Sequence, residues 1–186
     1  MHLGALRSAD HRLLSLVQSI ARPELDLLGS IVSAFGQAEV TAGIAAGLVV
    51  ARLRARRADF WVPLAIAVVV LVEAVGKGFV GQPSPPLDAV RGFALLPGLR
   101  DPFTHSFPSG HAARDAFLLT VVHGWPRVFT VVALLLVAGS RVYLGEHWPS
   151  DVLGGLLLGA AVAWTARAVA GRWRGQWGAR TRASSS

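Results

Sequence analysis

The feature that most constrains this chain is its series of long apolar runs. Phe60–Val80, Arg127–Leu144 and Val152–Ala170 are each apolar enough and long enough to cross a bilayer. A crossing takes about 20 residues, with a range of roughly 17–25. Leu27–Ala51 is also long enough, although Gln37 and Glu39 interrupt it. Gly110–His123 is short and mixed, and reads as a span only in company with the others. Backbone N–H and C=O groups in hydrocarbon find no water, so they must pair within their own segment, and the runs should be helices. Composition agrees. The chain is 53% hydrophobic and 16% charged, where soluble domains carry about 25% charge. The predicted fold class is all-α: a five-helix transmembrane bundle in a single domain.

The first 25 residues lack the continuous apolar stretch of a signal peptide. Instead Leu6, Leu13, Leu14, Val17 and Ile20 recur at roughly helical spacing, which predicts an amphipathic helix lying at the membrane interface. Pro23 ends that helix or starts the next element. Between the second and third spans lies a loop over 81–108 with prolines at 83, 85, 86, 97, 102 and 108, so it is not helical throughout. Its middle, Phe93-Ala94-Leu95-Leu96, is apolar enough to dip into the interface. Residues 171–186 read as a basic, flexible cytoplasmic tail.

Five crossings place Arg52, Arg54, Arg56, Arg57, Arg127, Arg167, Arg172, Arg174, Arg180 and Arg182 on one side, with Asp59 as the one acid there. Eight basic and ten acidic residues fall on the other side or within the spans. The basic side should be cytoplasmic. The N-terminal helix and the 81–108 loop then face outward, and the basic runs act as topology signals and anionic-lipid contacts rather than a nucleic-acid site. The chain has no cysteine, which excludes disulfides and thiolate chemistry.

This topology gathers polar residues at the outer face. Lys77 is near the outer end of the second span, Pro108-Ser109-Gly110-His111 opens the third, Ser140-Arg141 closes the fourth, and His147 and Asp151 bracket the turn into the fifth. Ionisable residues inside or bordering spans are costly and mark function. Neutral imidazole is a competent nucleophile toward phosphorus. Asp151, one turn beyond His147, can hold one ring N–H and leave the other nitrogen free. Arg141 offers a planar fork to phosphate oxygens, and Lys77 a compact charge. Ser109 and Gly110 can present a hydroxyl and backbone N–H groups at a helix N-terminus.

These motifs resemble those of the type 2 phosphatidic acid phosphatase family, which includes the vanadium haloperoxidases. The family carries K-x6-R-P, P-S-G-H and S-R-x5-H-x3-D. Here the second is Pro108–His111, and the third is complete over Ser140–Asp151. The first is partial: Lys77 is present, but Ser84 stands at the arginine position, before Pro85. The resemblance implies a phosphohistidine at His147, with His111 protonating the leaving alkoxide. Ser84 removes one guanidinium from the phosphate cradle, for which Arg114, at i+3 from His111, is a candidate replacement; Arg91 and Arg100 are others. Alternatively, Arg114 pairs with Glu73, Asp115 or Glu39 inside the bundle.

Trp61, Trp148, Trp164, Trp173 and Trp177 read as interfacial anchors, and Gly154, Gly155 and Gly159 as sites of close helix packing. His2, His11 and His123 match no motif. No H-E-x-x-H or Cys/His cluster is present, so neither a metal nor another cofactor is expected. The resulting expectation is an integral-membrane phosphatase acting on a lipid phosphomonoester or diphosphate, with no obligate protein partner. Candidate lipids are phosphatidate, lysophosphatidate, diacylglycerol pyrophosphate, phosphatidylglycerol phosphate and undecaprenyl diphosphate, with the outward site favouring undecaprenyl diphosphate or phosphatidate. The alternatives are a non-catalytic lipid-phosphate binding or transport protein and, less consistent with the spans, a vanadium haloperoxidase. If the histidines carry the chemistry, phosphate release from a lipid phosphate should survive EDTA and fall with vanadate. Strict dependence on Mg²⁺ would refute the reading.

Overall fold

The computed structural model describes residues 2–93, 105–122 and 126–183, with side chains described for 4–93, 105–122 and 126–173. Ala94, Leu95, Leu96, Arg100, His123 and the side chains of Arg174, Trp177, Arg180 and Arg182 lie outside them. The described residues form seven α-helices: α1 His2–Gln18, α2 Pro23–Ala34, α3 Ala38–Arg54, α4 Ile66–Val80, α5 Gly110–Val121, α6 Arg127–Tyr143 and α7 Pro149–Ala183. A 3-10 turn, Val62–Ala65, leads into α4. Pro23 and Pro149 each sit at the first position of a helix, where the missing N–H costs nothing.

The run expected as one span from Leu27 to Ala51 is two helices. α2 and α3 meet at a 44° bend across Phe35-Gly36-Gln37. Glycine weakens the helix there, and Gln37 adopts an extended N-cap conformation that starts α3. Val62–Val80 and Pro149–Trp173 are each long and apolar enough to cross a membrane, and the bent α2–α3 pair meets the same test as a unit. α6 has 17 residues and α5 only 12.

The brevity of α5 follows from its position. It is the central helix, and Ala112, Ala113, Ala116, Phe117, Leu118 and Val121 are all buried. Its small residues let α7 come close. A Cβ built on Gly155 would collide with the Ser109 carbonyl, and one on Gly159 with the Ala113 carbonyl. Small residues at such crossings exchange side-chain bulk for backbone contact. Gly154 instead faces the Phe107 ring. By contrast, α4, α6 and α7 expose Leu71, Phe79, Leu135, Leu136, Leu157 and Trp164. So large an outward apolar surface suits lipid and not water.

α1 divides the residues assigned to its apolar face. Leu14 is buried in a cluster with Ala112, Val142, Trp148 and Val152, and Val17 packs against it. Leu6, Leu13 and Ile20 face outward.

The C-terminal end of α5 shows how a buried helix end is satisfied. Its last carbonyls have no partner within the helix. Arg167 Nη1 donates to the Thr120 carbonyl at 2.9 Å, and Arg52 Nη2 to the Val121 carbonyl at 2.9 Å. Arg52 also donates to the Asp59 carbonyl at 3.1 Å. Arg57 grips the Asp59 carboxylate with two bonds of 2.9 and 3.0 Å, and that carboxylate holds the Arg57 guanidinium above its ordinary pKa. Arg52, expected as a topology charge in a loop, is therefore a buried strut. Arg52→Ala should lower unfolding free energy by roughly 2–4 kcal/mol, because it strands buried acceptors. Arg57→Ala, at a partly exposed pair, should cost about 1 kcal/mol or less. Denaturant midpoints in detergent micelles compare the two.

Candidate active site

The second and third motifs are joined through the backbone. Ser109 is the N-cap of α5, and its N–H donates to the Asp151 carbonyl at 3.0 Å. That bond fixes the start of α5 against the first turn of α7, and so sets His111 relative to His147. It also occupies the Ser109 N–H, which the sequence reading had offered to phosphate. The Ser109 hydroxyl is buried and has no partner among the described residues.

His147 lies in the turn between α6 and α7. Its backbone N–H donates to the Arg141 carbonyl at 3.3 Å. Its Nδ1 approaches Asp151 Oδ2 at 3.6 Å, beyond hydrogen-bond range. The same carboxylate oxygen accepts the Trp148 N–H at 2.8 Å. Asp151 thus caps the start of α7 while facing the imidazole. Burial lowers the His147 pKa from its ordinary value of 6.5 more than Asp151 raises it, which favours the neutral ring.

The cations converge on the same point. Glu73 on α4 bridges two of them: Lys77 Nζ lies 3.1 Å from Oε1 and Arg114 Nη1 2.6 Å from Oε2. Gly110 is glycine because the Glu73 carboxylate occupies the space a Cβ would need. Arg141 reaches Ser33 on α2 through Nη1 and Glu146 through Nη2, while its Nε is buried without a partner. His111 stands within the electrostatic field of Arg141, Arg114, Lys77 and His147.

Arg114 therefore makes the internal pair with Glu73 while its charge still reaches His111. Arg91 does not enter the site. It grips Asp26 with two 2.9 Å bonds, and that carboxylate raises the Arg91 pKa. Tyr143 shares Asp26 at 2.7 Å. Ser84 is exposed in the loop. Trp148, assigned as an interfacial anchor, is instead buried: its Nε1 donates to the Pro83 carbonyl at 2.8 Å, and its ring meets His11 edge-on at 4.5 Å.

Sequence reasoning missed four residues that hold the site. Glu146 and Ser33 anchor Arg141. Asp10 accepts from Ser150 N and Oγ at 2.9 and 2.7 Å and so pins α1 to the third motif. Gly36, at the α2–α3 bend, accepts from Arg114 Nε at 3.2 Å. A Cβ on Gly36 would lie 2.5 Å from Asp115 Oδ2 and 2.9 and 3.0 Å from His111 Cβ and Cδ2. Only Glu146 had a sequence signal, as an acid at a variable position of the third motif.

Among the described residues, the buried side-chain polar atoms without a hydrogen-bond partner are Ser109 Oγ, Asp115 Oδ2, Arg141 Nε, His147 Nδ1 and Asp151 Oδ1. Buried polar atoms are normally paired. Here the exceptions are grouped around the two histidines. No group of three or more His, Asp or Glu side chains among the described residues is disposed to hold a metal ion.

With this geometry in hand, comparison with known proteins assigns the family. The PAP2 superfamily model matches residues 58–174, and the chain belongs to that superfamily. It is 29% identical over 136 residues to an undecaprenyl-diphosphatase of Sulfolobus acidocaldarius, covering 71% of this chain and 64% of that one. It is 40% identical over 78 residues to phosphatidylglycerophosphatase B of Escherichia coli, covering 36% of this chain and 31% of that one. The chain thus spans less than two thirds of the length of either relative. The crystal structure of a transmembrane PAP2-type phosphatidylglycerolphosphate phosphatase from Bacillus subtilis superposes with a TM-score of 0.71 at 24% identity, covering 90% of this chain and 87% of that one. That likeness establishes a shared fold.

Gly36→Ala tests the contact between bend and site. The added methyl must displace the His111 ring or the Asp115 carboxylate, so turnover should fall at least about 10-fold with little change in helical circular dichroism. Full activity would show that the bend does not position His111.

Proposed function

We propose that this chain is an integral-membrane, metal-independent lipid phosphate phosphatase that hydrolyses a phosphomonoester or diphosphate on a lipid. The observation that carries the reading is the cluster of unpartnered buried polar atoms around His111 and His147, set at one end of a bundle with an apolar exterior. An oxyanion would supply the acceptors that Arg141 Nε and Ser109 Oγ lack. The relatives' names, undecaprenyl-diphosphatase and phosphatidylglycerophosphatase, support the substrate class.

In this reading the bent α2–α3 pair, α4, α5, α6 and α7 make five crossings of the cell membrane, and α1 lies in the interface with Leu6, Leu13 and Ile20 toward lipid. The site faces outward and the C-terminus is cytoplasmic. Lys77, Arg114 and Arg141 hold the phosphoryl oxygens with Ser109, at the Gly110 end of α5. Asp151 orients the His147 imidazole through Nδ1, closing the 3.6 Å approach as substrate binds. His147 Nε2 attacks phosphorus, the P–O bond to the lipid breaks, and His111 gives its proton to the departing oxygen. Water then attacks the phosphohistidine and loses its proton to His111. Phosphate leaves, and both histidines return to their starting states.

Phosphate release from a panel of lipid phosphates in mixed micelles tests this. The wild-type protein should release phosphate. His147→Ala should form no phosphoenzyme and fall to background. His111→Ala should slow turnover by about 10²–10⁴-fold, most for poor leaving groups. No release from any lipid phosphate would instead favour a binding or transport protein, the reading to which Ser84 points.

A further inference from the structure

One polar group at the site has no part in the mechanism above. Asp115 sits on α5 one turn beyond His111, at i+4, so the two side chains share a helix face. Both flank the same point beside Gly36, within 3.0 Å of where its Cβ would stand. The Asp115 side chain is buried, and Oδ2 has no hydrogen-bond partner among the described residues. Among the described residues it is also the one polar side chain on a cavity of about 450 Å³ whose walls include Val32, Phe35, Leu118, Leu119 and Val137. Along α5 that cavity runs from Asp115 toward Val122.

The order along α5 is therefore phosphate-binding end, His111, Asp115, then hydrocarbon wall. A lipid phosphate laid along this path places its scissile oxygen at His111, its next polar group at Asp115 and its chain beyond. An unpaired carboxyl oxygen there costs free energy until a donor reaches it. The neighbouring cations face other groups: Lys77 and Arg114 pair with Glu73, and Arg141 with Glu146 and Ser33, and the mechanism above gives their remaining donors to the phosphate. The leaving phosphate of a diphosphate lipid brings further acceptors and negative charge to this position and no donor. A free hydroxyl on the carbon next to the ester oxygen brings a donor.

We propose that Asp115 is a specificity residue that selects lipid phosphomonoesters bearing a free hydroxyl beside the phosphorylated carbon. Its Oδ2 accepts the hydroxyl hydrogen while the adjoining hydrocarbon occupies the cavity. This rests on the phosphatase reading and narrows its substrate class.

The test compares 1-oleoyl lysophosphatidate with its 2-deoxy analogue, which differ only in that hydroxyl, in detergent micelles. Farnesyl diphosphate, which has no hydroxyl donor, is a third substrate. The wild-type kcat/KM should favour the hydroxylated monoester over its analogue by about 10- to 100-fold, the range for leaving one buried polar group unsatisfied. Farnesyl diphosphate should be no better than the analogue. Asp115→Ala should bring the monoester ratio to within about twofold of unity. Asp115→Asn keeps an acceptor oxygen and should retain part of the preference. Turnover of the analogue in the same preparations reports that each variant is folded. A wild-type ratio within twofold of unity overturns the proposal without any variant, as does a preference that Asp115→Asn and Asp115→Ala leave intact. If the wild-type protein releases phosphate from none of the three or from any other lipid phosphate, the phosphatase reading itself fails, and that outcome is separate from loss of the hydroxyl preference alone.

Discussion

A single buried carboxylate, Glu73, organises the polar interior of this bundle. In a low-dielectric core an unpaired charge is prohibitive, and removing one partner of a buried pair typically costs 3–5 kcal/mol. Glu73 pairs with Lys77 on its own helix and with Arg114 on α5. It therefore joins α4 to α5 and brings two cations to the mouth of the site. The requirement extends to the backbone, since Glu73 reaches this position only because residue 110 has no side chain. Pro108-Ser109-Gly110-His111 is thus a packing solution as well as a chemical one.

The other restraints on α5 are of the same kind. Its first turn is tied to α7 by Ser109 N–H and the Asp151 carbonyl, and its last carbonyls by Arg52 and Arg167. Between these ends, Gly155 and Gly159 on α7 allow backbone-to-backbone approach. The helix carrying His111 is thereby held at both ends and along one side. A catalytic geometry has little tolerance for displacement, so these restraints suit the helix that carries His111.

The elements outside the family's motifs complete the site. α1 docks through Asp10 onto Ser150, the α2–α3 bend lays Gly36 against His111, and Ser33 on α2 joins Glu146 of the third motif in holding Arg141. Each satisfied group adds rigidity. The buried polar atoms left over among the described residues, such as Ser109 Oγ and Arg141 Nε, lie around the two histidines.

The sequence by itself determined the helical class, because long apolar runs in lipid leave the backbone no other way to pair. It also determined the motif residues His111, Arg141, His147 and Asp151, whose types and spacing are local properties of the chain. It could not show that the break at Gly36 within Leu27–Ala51 packs against His111 and Asp115, because those contacts lie about 75 residues further along the chain. Nor could it show that Arg52 is a strut and Trp148 an internal donor, because an arginine beside a span reads as a topology charge until its partners are known. Pairing across the bundle decided those roles, and it alone left Asp115 Oδ2 without a hydrogen-bond partner among the described residues. Polar groups in an apolar interior take their meaning from the neighbours that satisfy them, and tertiary packing chooses those neighbours.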